Sequence, residues 1–459
     1  MKRQGYLKGA LIISAGGFVS KLLGAVYRIP LIAILGGTGM GIYQMVYPLY
    51  CILLTVSASG IPTGIARLIA SGNAEGAEKR AFLLYGGIGL CGSLVMYALS
   101  GILSAAQGEP AVSLCCKLLS PSVLFVAIIS VVRGYFQGKG NMYPTAFTEI
   151  AEQAIKVAFG ILLAYIYRGD ITRSVGAAVF AVTVSEAASA AFAVILYLGG
   201  RRRTKPLYRA APSASLKSVL SYTLPLTVSA IAQPLSQLIE SIVVVRILRT
   251  MTADATAVYG IFSGCAITLV NLPVSVTYGL AAASVPKISP LAQSGRISEA
   301  KEMCKKALLY TLIISLPCAA ALFAFAPIAT RIIFSSLSQS EAVLLVRLVR
   351  IMAVNAVTLS LVQTSSACIT SLGRPLFGTL SQWTSSAVRV ALSAAFIAFT
   401  PLGISGAALS ANIAYLVALV VNFCYIIGVK QTGRTTDVNN LDRIGSKGRT
   451  INSFGKTGA

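Results

Sequence analysis

Four polar side chains share one face of the apolar segment 146–167, and they are the strongest candidates for chemistry in this sequence. Glu149, Glu152, Gln153 and Lys156 occupy positions i, i+3, i+4 and i+7, which coincide on one side of an α-helix. Glu152 and Lys156 also have the i, i+4 spacing of an ion pair. The stripe predicts either a polar contact between helices or the lining of a cavity whose charge changes as the protein works.

Two bases interrupt the first apolar segment, residues 9–28. Lys21 and Arg28 are seven residues apart, which is nearly two helical turns and places both on one side, about 10 Å apart. A charged group in hydrocarbon costs roughly 2.5–3.5 kcal/mol, so it usually faces a cavity or a partner. Two arrangements follow: a cationic stripe that faces a ligand, or an internally paired Lys21 with Arg28 extending to the membrane interface.

Charged residues also lie within apolar segments of the second part of the chain. Gln237 and Glu240 lie on one face of segment 218–248, and Arg389 lies in a segment of similar character. Glu240 is predicted either to bind a coupling ion, Na⁺ or H⁺, or to neutralise a base. We interpret Arg133 and Glu186 as structural.

The composition determines the environment of these segments. Of the 459 residues, 56% are hydrophobic and 11% are charged, whereas soluble domains carry about 25% charged residues. The sequence therefore predicts an all-α integral membrane protein. It contains no His, which excludes imidazole-based triads and His-bound metals, and none of its nine Cys are spaced as CxxC. We expect no metal site and no resident cofactor.

An enzymatic function is not indicated. Membrane-bound transferases bind a metal–diphosphate complex with clustered Asp, but the four Asp of this chain are scattered at positions 170, 254, 437 and 442. The sequence also lacks the GxxxxGK[ST] phosphate-binding loop. We therefore expect a transporter.

Twelve segments have about the 20 apolar residues that cross a bilayer. In chain order they are 9–28, 43–69, 82–104, 118–138, 146–167, 175–198, 218–248, 257–285, 307–334, 343–370, 378–399 and 405–428. The termini and the even-numbered connections hold 24 of the 38 Lys and Arg residues, and the odd-numbered connections hold four. This bias predicts that both termini are cytoplasmic. It also accounts for the net charge of +24 without a nucleic-acid partner.

The spans divide into two lobes of six. We predict an N-terminal lobe at 1–198, a basic cytoplasmic linker at 199–217, a C-terminal lobe at 218–428 and a disordered basic cytoplasmic tail at 429–459. The segments that begin at Glu149 and Gln382 are similar at an offset of 233 residues. Because each lobe has an even number of spans, the pseudo-repeat is parallel, and sites in such folds lie where the lobes meet. The linker is predicted to anchor the topology or to contact anionic membrane lipids.

The segment 133–146, RGYFQGKGNMYPTA, followed by Glu152, Gln153 and Lys156, resembles a signature of the polysaccharide-exporter branch of the multidrug/oligosaccharidyl-lipid/polysaccharide (MOP) exporter superfamily. Stretches within 8–43 and 60–67 are similar to the same group. The chain departs from many members in lacking an extra C-terminal pair of spans.

The resemblance implies a V-shaped, MATE-like bundle of two lobes that alternates access between the membrane faces. The implied function is a flippase for a lipid-linked oligosaccharide in the bacterial cytoplasmic membrane. The specific candidate is a polyprenyl-diphosphate glycan such as the peptidoglycan precursor lipid II, used for the spore cortex in sporulation. Its diphosphate would contact bases from both lobes, and acids would balance the empty cavity. The implied site comprises Lys21, Arg28, Glu149, Glu152, Gln153, Lys156, Gln237, Glu240 and Arg389.

Two alternatives stay open. A cation-coupled multidrug exporter of the same fold commonly has an acid in its first span, where this sequence offers Lys21 and Arg28 instead. A non-transporting scaffold would recruit cell-wall synthesis proteins through basic loops such as 199–217. Substitutions in the cavity would then be silent.

Overall fold

The computed structural model describes residues 6–58, 61–70, 77–202 and 216–428. Every regular element within these ranges is helical. Most of the predicted linker, residues 203–215, and the whole predicted tail, residues 429–459, lie outside the described residues.

The helices follow one another with short connections. In chain order they are α1 (Tyr6–Ala58), α2 (Ile61–Ala70), α3 (Ala77–Gln107), α4 (Ala111–Leu119), α5 (Ser122–Gly138), α6 (Tyr143–Ile166), α7 (Ile171–Arg202), α8 (Leu216–Arg249), α9 (Ala255–Gly260), a π-helical turn (Ile261–Ala266), α10 (Ile267–Gln293), α11 (Ile297–Ile333), α12 (Gln339–Ser371), α13 (Pro375–Phe399) and α14 (Ile404–Gly428).

The first two predicted spans are longer than expected and nearly continuous. Helical backbone extends through the predicted connection 29–42 and is interrupted at Gly36, whose φ of 64° and ψ of −171° are not helical. A positive φ strains any residue with a Cβ, so glycine is the residue that permits this break. The apolar residues from Ile29 to Leu35 extend the first span up to the break.

Nine helices within the described residues are long and apolar enough to cross a membrane. One of them, Ala15–Ala58, has 44 residues, about twice what a bilayer requires, and therefore accounts for two spans. Adding the more polar α6 and α13 gives the predicted number of about twelve. The predicted all-α membrane fold is confirmed.

Corresponding helices pack in the same way in the N-terminal half, residues 6–202, and the C-terminal half, residues 216–428. In the first half α6 packs against α1 and α7, and in the second half α13 packs against α8 and α14. These triplets contain the residues that sequence analysis selected. Two neighbouring helices thus hold α6 inside the N-terminal half, and two others hold α13 inside the C-terminal half.

The two halves approach closely at one end of the bundle. This end carries the odd-numbered connections between the twelve predicted spans. A Cβ added at Gly41 of α1 would lie 2.1 Å from the Thr256 carbonyl oxygen, and one added at Gly260 of α9 would lie 2.0 Å from the Gly37 carbonyl oxygen. Helix backbones come this close only where small residues line the crossing.

An ion pair reinforces the same contact. The Arg249 Nη2 atom lies 3.1 Å from Glu109 Oε2, and the Thr256 hydroxyl donates a hydrogen bond to that oxygen at 3.0 Å. Glu109 belongs to the N-terminal half, whereas Arg249 and Thr256 belong to the C-terminal half. We call these residues the odd-end contact: Gly37, Gly41, Glu109, Arg249, Thr256 and Gly260.

Candidate functional site

The polar stripe of α6 faces α1. A Cβ added at Gly17 of α1 would lie 3.9 Å from Glu149 Oε2, and one added at Gly24 would lie 3.5 Å from Gln153 Oε1. Small residues of α1 therefore lie opposite the polar side chains of α6. This leaves room for carboxylate and amide groups between two membrane helices.

Glu152 is paired with a base from a different helix than the sequence spacing suggested. The Arg133 Nη2 atom of α5 lies 3.0 Å from Glu152 Oε2, and Arg133 Nε donates to the Thr148 hydroxyl at 3.0 Å. Lys156, the expected i, i+4 partner, forms no ion pair with any described residue. Arg133, interpreted from the sequence as structural, thus contacts the polar face of α6 from α5.

A second acid, Glu186 of α7, completes this group. Its side chain is buried, and the Tyr50 hydroxyl donates to its Oε1 atom at 3.1 Å. Its Oε2 atom has no hydrogen-bond partner among the described residues. Lys156 interacts electrostatically with both Glu152 and Glu186. We call these side chains the N-half cluster: Tyr50, Arg133, Glu152, Lys156 and Glu186.

The two bases of the first span lie at the interface between the halves. Arg28 Nη1 donates to the Thr268 hydroxyl at 2.9 Å, and Lys21 Nζ lies 3.1 Å from the centre of the Tyr278 ring. Thr268 and Tyr278 both belong to α10 of the C-terminal half. Within the described residues neither base has a carboxylate within 4.0 Å, so both carry positive charge that no ion pair neutralises.

Glu240 and Arg389, which the sequence analysis treated separately, form one buried ion pair. Arg389 Nη2 lies 2.8 Å from Glu240 Oε2, and Arg389 Nε donates to Glu240 Oε1 at 3.1 Å. The Ser393 hydroxyl donates to the same Oε1 atom at 3.1 Å. This two-point geometry is that of strong arginine–carboxylate pairs. Glu240 therefore has the geometry of the second of its two predicted roles, the neutralising partner of a base.

A cavity adjoins this pair inside the C-terminal half. Its volume is about 40 Å³, and it is partly open to solvent. Helices α8, α10, α12, α13 and α14 enclose it, and its lining comprises Gln233, Gln237, Ile267, Val270, Asn271, Met352, Asn355, Leu359, Arg389, Ala411 and Tyr415. Gln237 and Arg389 were selected from the sequence, whereas Asn271, Asn355 and Tyr415 were not.

The structure thus separates the predicted site residues into two groups. Lys21, Arg28, Glu149, Glu152, Gln153 and Lys156 lie in the N-terminal half around α1 and α6, and Gln237, Glu240 and Arg389 lie together in the C-terminal half. Counting described residues alone, the first group contains bases without ion pairs, and the charges of Glu240 and Arg389 in the second group balance each other. Across the described part of the chain, no three His, Cys, Asp or Glu side chains are arranged to hold a metal ion.

Comparisons with known proteins agree with this architecture. The family described as "Polysaccharide biosynthesis protein" matches residues 6–292. Stage V sporulation protein B of Bacillus subtilis is 29% identical over 352 residues, which cover 73% of this chain and 68% of that protein. Lipid II flippase MurJ of the same organism is 27% identical over 236 residues, covering 47% of this chain and 43% of MurJ.

A solved structure supports the fold independently. A multidrug resistance MATE family transporter of the MOP superfamily, in an inward-facing conformation, superimposes with a TM-score of 0.77. The match covers 90% of this chain and 96% of the transporter, at 16% sequence identity. At this identity the similarity establishes a shared fold.

Proposed function

We propose that this protein moves a lipid-linked glycan across a bacterial cytoplasmic membrane, on the premise that the chain belongs to the polysaccharide biosynthesis protein family. It is a multi-pass membrane transporter of the MOP superfamily and not an enzyme. The proposed cargo is a polyprenyl diphosphate that bears a sugar head group, with the peptidoglycan precursor lipid II as the specific candidate.

The observation that carries the proposal is the unpaired positive charge at the interface of the halves. Among the described residues, Lys21 lies over a ring and Arg28 donates to a hydroxyl of α10, and neither forms an ion pair. An anionic diphosphate would give these cations hydrogen bonds in which both partners are charged. Lys156, which has no ion pair within the described ranges, adds a third base on the neighbouring α6.

Acids of the N-terminal half partly balance these bases when no cargo is bound. Glu152 holds Arg133, Glu186 lies close enough to Lys156 for electrostatic interaction, and Glu149 interacts in the same way with Lys21. Charge left unbalanced in a membrane interior is costly. Nearby acids therefore help Lys21 and Lys156 to remain in place without cargo.

The odd-end contact supports an alternating-access cycle. Its glycine crossing and its ion pair close the space between the halves at one end of the bundle. For cargo to leave at that end, Gly37 and Gly41 must separate from Thr256 and Gly260. We propose that this contact is the gate, and that a coupling ion, Na⁺ or H⁺, or the cargo itself drives its opening.

A reconstitution assay tests the proposed cargo. The purified full chain is inserted into liposomes that contain a fluorescent undecaprenyl-diphosphate sugar, and the label is exposed to an external quencher. We expect protein-dependent transfer between leaflets, which empty liposomes do not show. Cation-coupled efflux of a cationic drug without lipid transfer would instead support the multidrug exporter. Neither activity would contradict transport of this cargo and favour a scaffold for cell-wall synthesis.

A further inference from the structure

The cavity of the C-terminal half has a lining unlike that of the N-half cluster. Four of its residues carry side-chain amides, namely Gln233, Gln237, Asn271 and Asn355, and Tyr415 adds a phenol hydroxyl. The other lining residues, apart from Arg389, are apolar. Such a combination of amides, a phenol and apolar side chains suits a polar ligand without charge.

Asn355 is the member of this lining that indicates a ligand. Its side chain is 1% exposed, and neither its Nδ2 nor its Oδ1 atom has a hydrogen-bond partner among the described residues. Buried polar atoms almost always have partners. A buried carboxamide that lines a cavity with both donor and acceptor unused is therefore available to a group that accepts one hydrogen bond and donates another.

The charges that line the cavity are already balanced. Arg389 is neutralised at two points by Glu240, and its Nη1 atom donates to the Tyr415 hydroxyl at 3.3 Å. An anion at the guanidinium would lie beside the Glu240 carboxylate, and a cation at the carboxylate would lie beside Arg389. The pair therefore offers no net charge to an ionic ligand, which favours a neutral one.

The cavity adjoins the cationic interface through α10. Thr268, which accepts the hydrogen bond from Arg28, is one residue from Ile267 and one helical turn from Asn271. Arg28 therefore contacts the same turn of α10 that lines the cavity.

We propose that this cavity binds a sugar of the glycan head group, through a hydroxyl or acetamido group that pairs with the Asn355 carboxamide. Hydroxyl and acetamido groups both donate and accept, as Asn355 requires. The apolar side chains of Ile267, Val270 and Met352 contact the C–H face of the sugar ring. This inference rests on the proposed function, because it assigns the sugar of the same lipid-linked cargo to the C-terminal half and the diphosphate to the interface.

Binding to two lipids that differ only in the sugar tests the assignment. The full chain in lipid nanodiscs is titrated with undecaprenyl diphosphate and with undecaprenyl-diphosphate N-acetylglucosamine. Wild type is expected to bind the sugar-bearing lipid about tenfold more tightly, the effect of one or two good hydrogen bonds. Asn355→Leu is expected to abolish this preference without changing the affinity for the bare lipid.

Asn422→Leu is the matched control, because Asn422 is a buried amide of the same half that lies outside the cavity and donates to the Ser365 hydroxyl at 2.8 Å. Asn422→Leu should lower the melting temperature and keep the sugar preference. Asn355→Leu removes no hydrogen bond to a described residue, so it should not lower the melting temperature.

The outcomes separate the sugar site from the proposed function. A sugar preference that persists in Asn355→Leu, or wild-type binding of both lipids with equal affinity, would overturn the sugar site while leaving lipid transport intact. A wild-type protein that binds neither lipid would overturn the proposed function and this inference with it.

Discussion

The guanidinium of Arg28 donates a hydrogen bond to the hydroxyl of Thr268 at 2.9 Å, across 240 residues of sequence and between the two halves of the protein. A base of the first span is thus held at the interface by a neutral partner. The guanidinium can exchange this hydrogen bond for one to a phosphate oxygen without leaving a buried charge behind, because the hydroxyl that it releases is neutral. The contact therefore holds Arg28 in place and leaves it available to an anionic cargo.

Lys156→Ala should slow transfer of the lipid-linked glycan at least about tenfold while the protein remains folded. Lys156 has no ion pair to lose within the described residues and only interacts electrostatically with Glu152 and Glu186, so its removal should lower the melting temperature less than the loss of a direct buried ion pair does. Lipid transfer in liposomes and the melting temperature in detergent are the two measurements. Lys306→Ala is the control, because Lys306 is exposed and pairs with Glu302 at 2.8 Å. Equal transfer by both variants would exclude Lys156 from the transport path.

Removing one partner of the buried Glu240–Arg389 pair should destabilise the C-terminal half. Breaking a buried ion pair typically costs about 3–5 kcal/mol because the remaining charge has no partner. Glu240→Gln should therefore lower the melting temperature and the amount of folded protein in the membrane. Thermal unfolding followed by size-exclusion chromatography measures this.

Arg296→Ala is the matched control for that prediction. Arg296 and Glu299 form an exposed pair, and such pairs contribute about 0–1 kcal/mol. Similar melting temperatures for Glu240→Gln and Arg296→Ala would show that the buried pair does not hold the half together.

Tyr50→Phe should destabilise the N-half cluster by roughly 1–3 kcal/mol, the usual cost of leaving a buried acceptor without its hydrogen-bond partner. The Tyr50 hydroxyl is the donor to Glu186, whose other oxygen has no partner in the described part of the chain. Tyr47→Phe on the same helix provides the comparison, since Tyr47 stacks on Tyr43 and the stack does not need the hydroxyl. An effect of equal size in both variants would argue against a specific role for the hydrogen bond.

Gly41→Ala should weaken the odd-end contact and open that end of the bundle. The added Cβ would lie 2.1 Å from the Thr256 carbonyl oxygen, so α1 and α9 must move apart. Labelling of Met40→Cys by a water-soluble maleimide, in a background without the nine native cysteines, should become faster, because Met40 is fully buried in the closed contact. Gly101→Ala, whose Cβ would meet nothing within 4 Å, should leave the labelling rate unchanged. Unchanged labelling in Gly41→Ala would contradict a gate at this crossing.

The sequence was sufficient to predict the membrane fold and the polar face of α6. Hydrophobic length and charge bias mark membrane spans directly, and the spacing from Glu149 to Lys156 places those side chains together on any helix. Both properties are local, so they need no knowledge of how helices pack. The same locality explains why the spans ended a few residues from the predicted bounds and why the helical extension up to Gly36 was missed.

The partners of the charged residues could not be predicted from the sequence. The spacing favoured Lys156 as the partner of Glu152, but the base that fills this role is Arg133 from the preceding helix. Glu240 and Arg389 are 149 residues apart, and no local pattern relates them. Asn355 gave no signal at all, since an isolated amide in an apolar span is common. What distinguishes it is burial beside a cavity with no hydrogen-bond partner in the part of the chain that the structure describes.

The liposome assay with the double variant Lys21→Ala/Arg28→Ala is the measurement that decides whether the bases of α1 lie in the transport path. Transfer of a fluorescent undecaprenyl-diphosphate sugar should fall to the level of protein-free liposomes, while Arg296→Ala transfers the lipid as wild type does. Insertion into the liposomes and the melting temperature are measured for each variant, so that loss of protein is not mistaken for loss of transport. Wild-type transfer by correctly inserted Lys21→Ala/Arg28→Ala protein would contradict a cationic diphosphate site between the two halves.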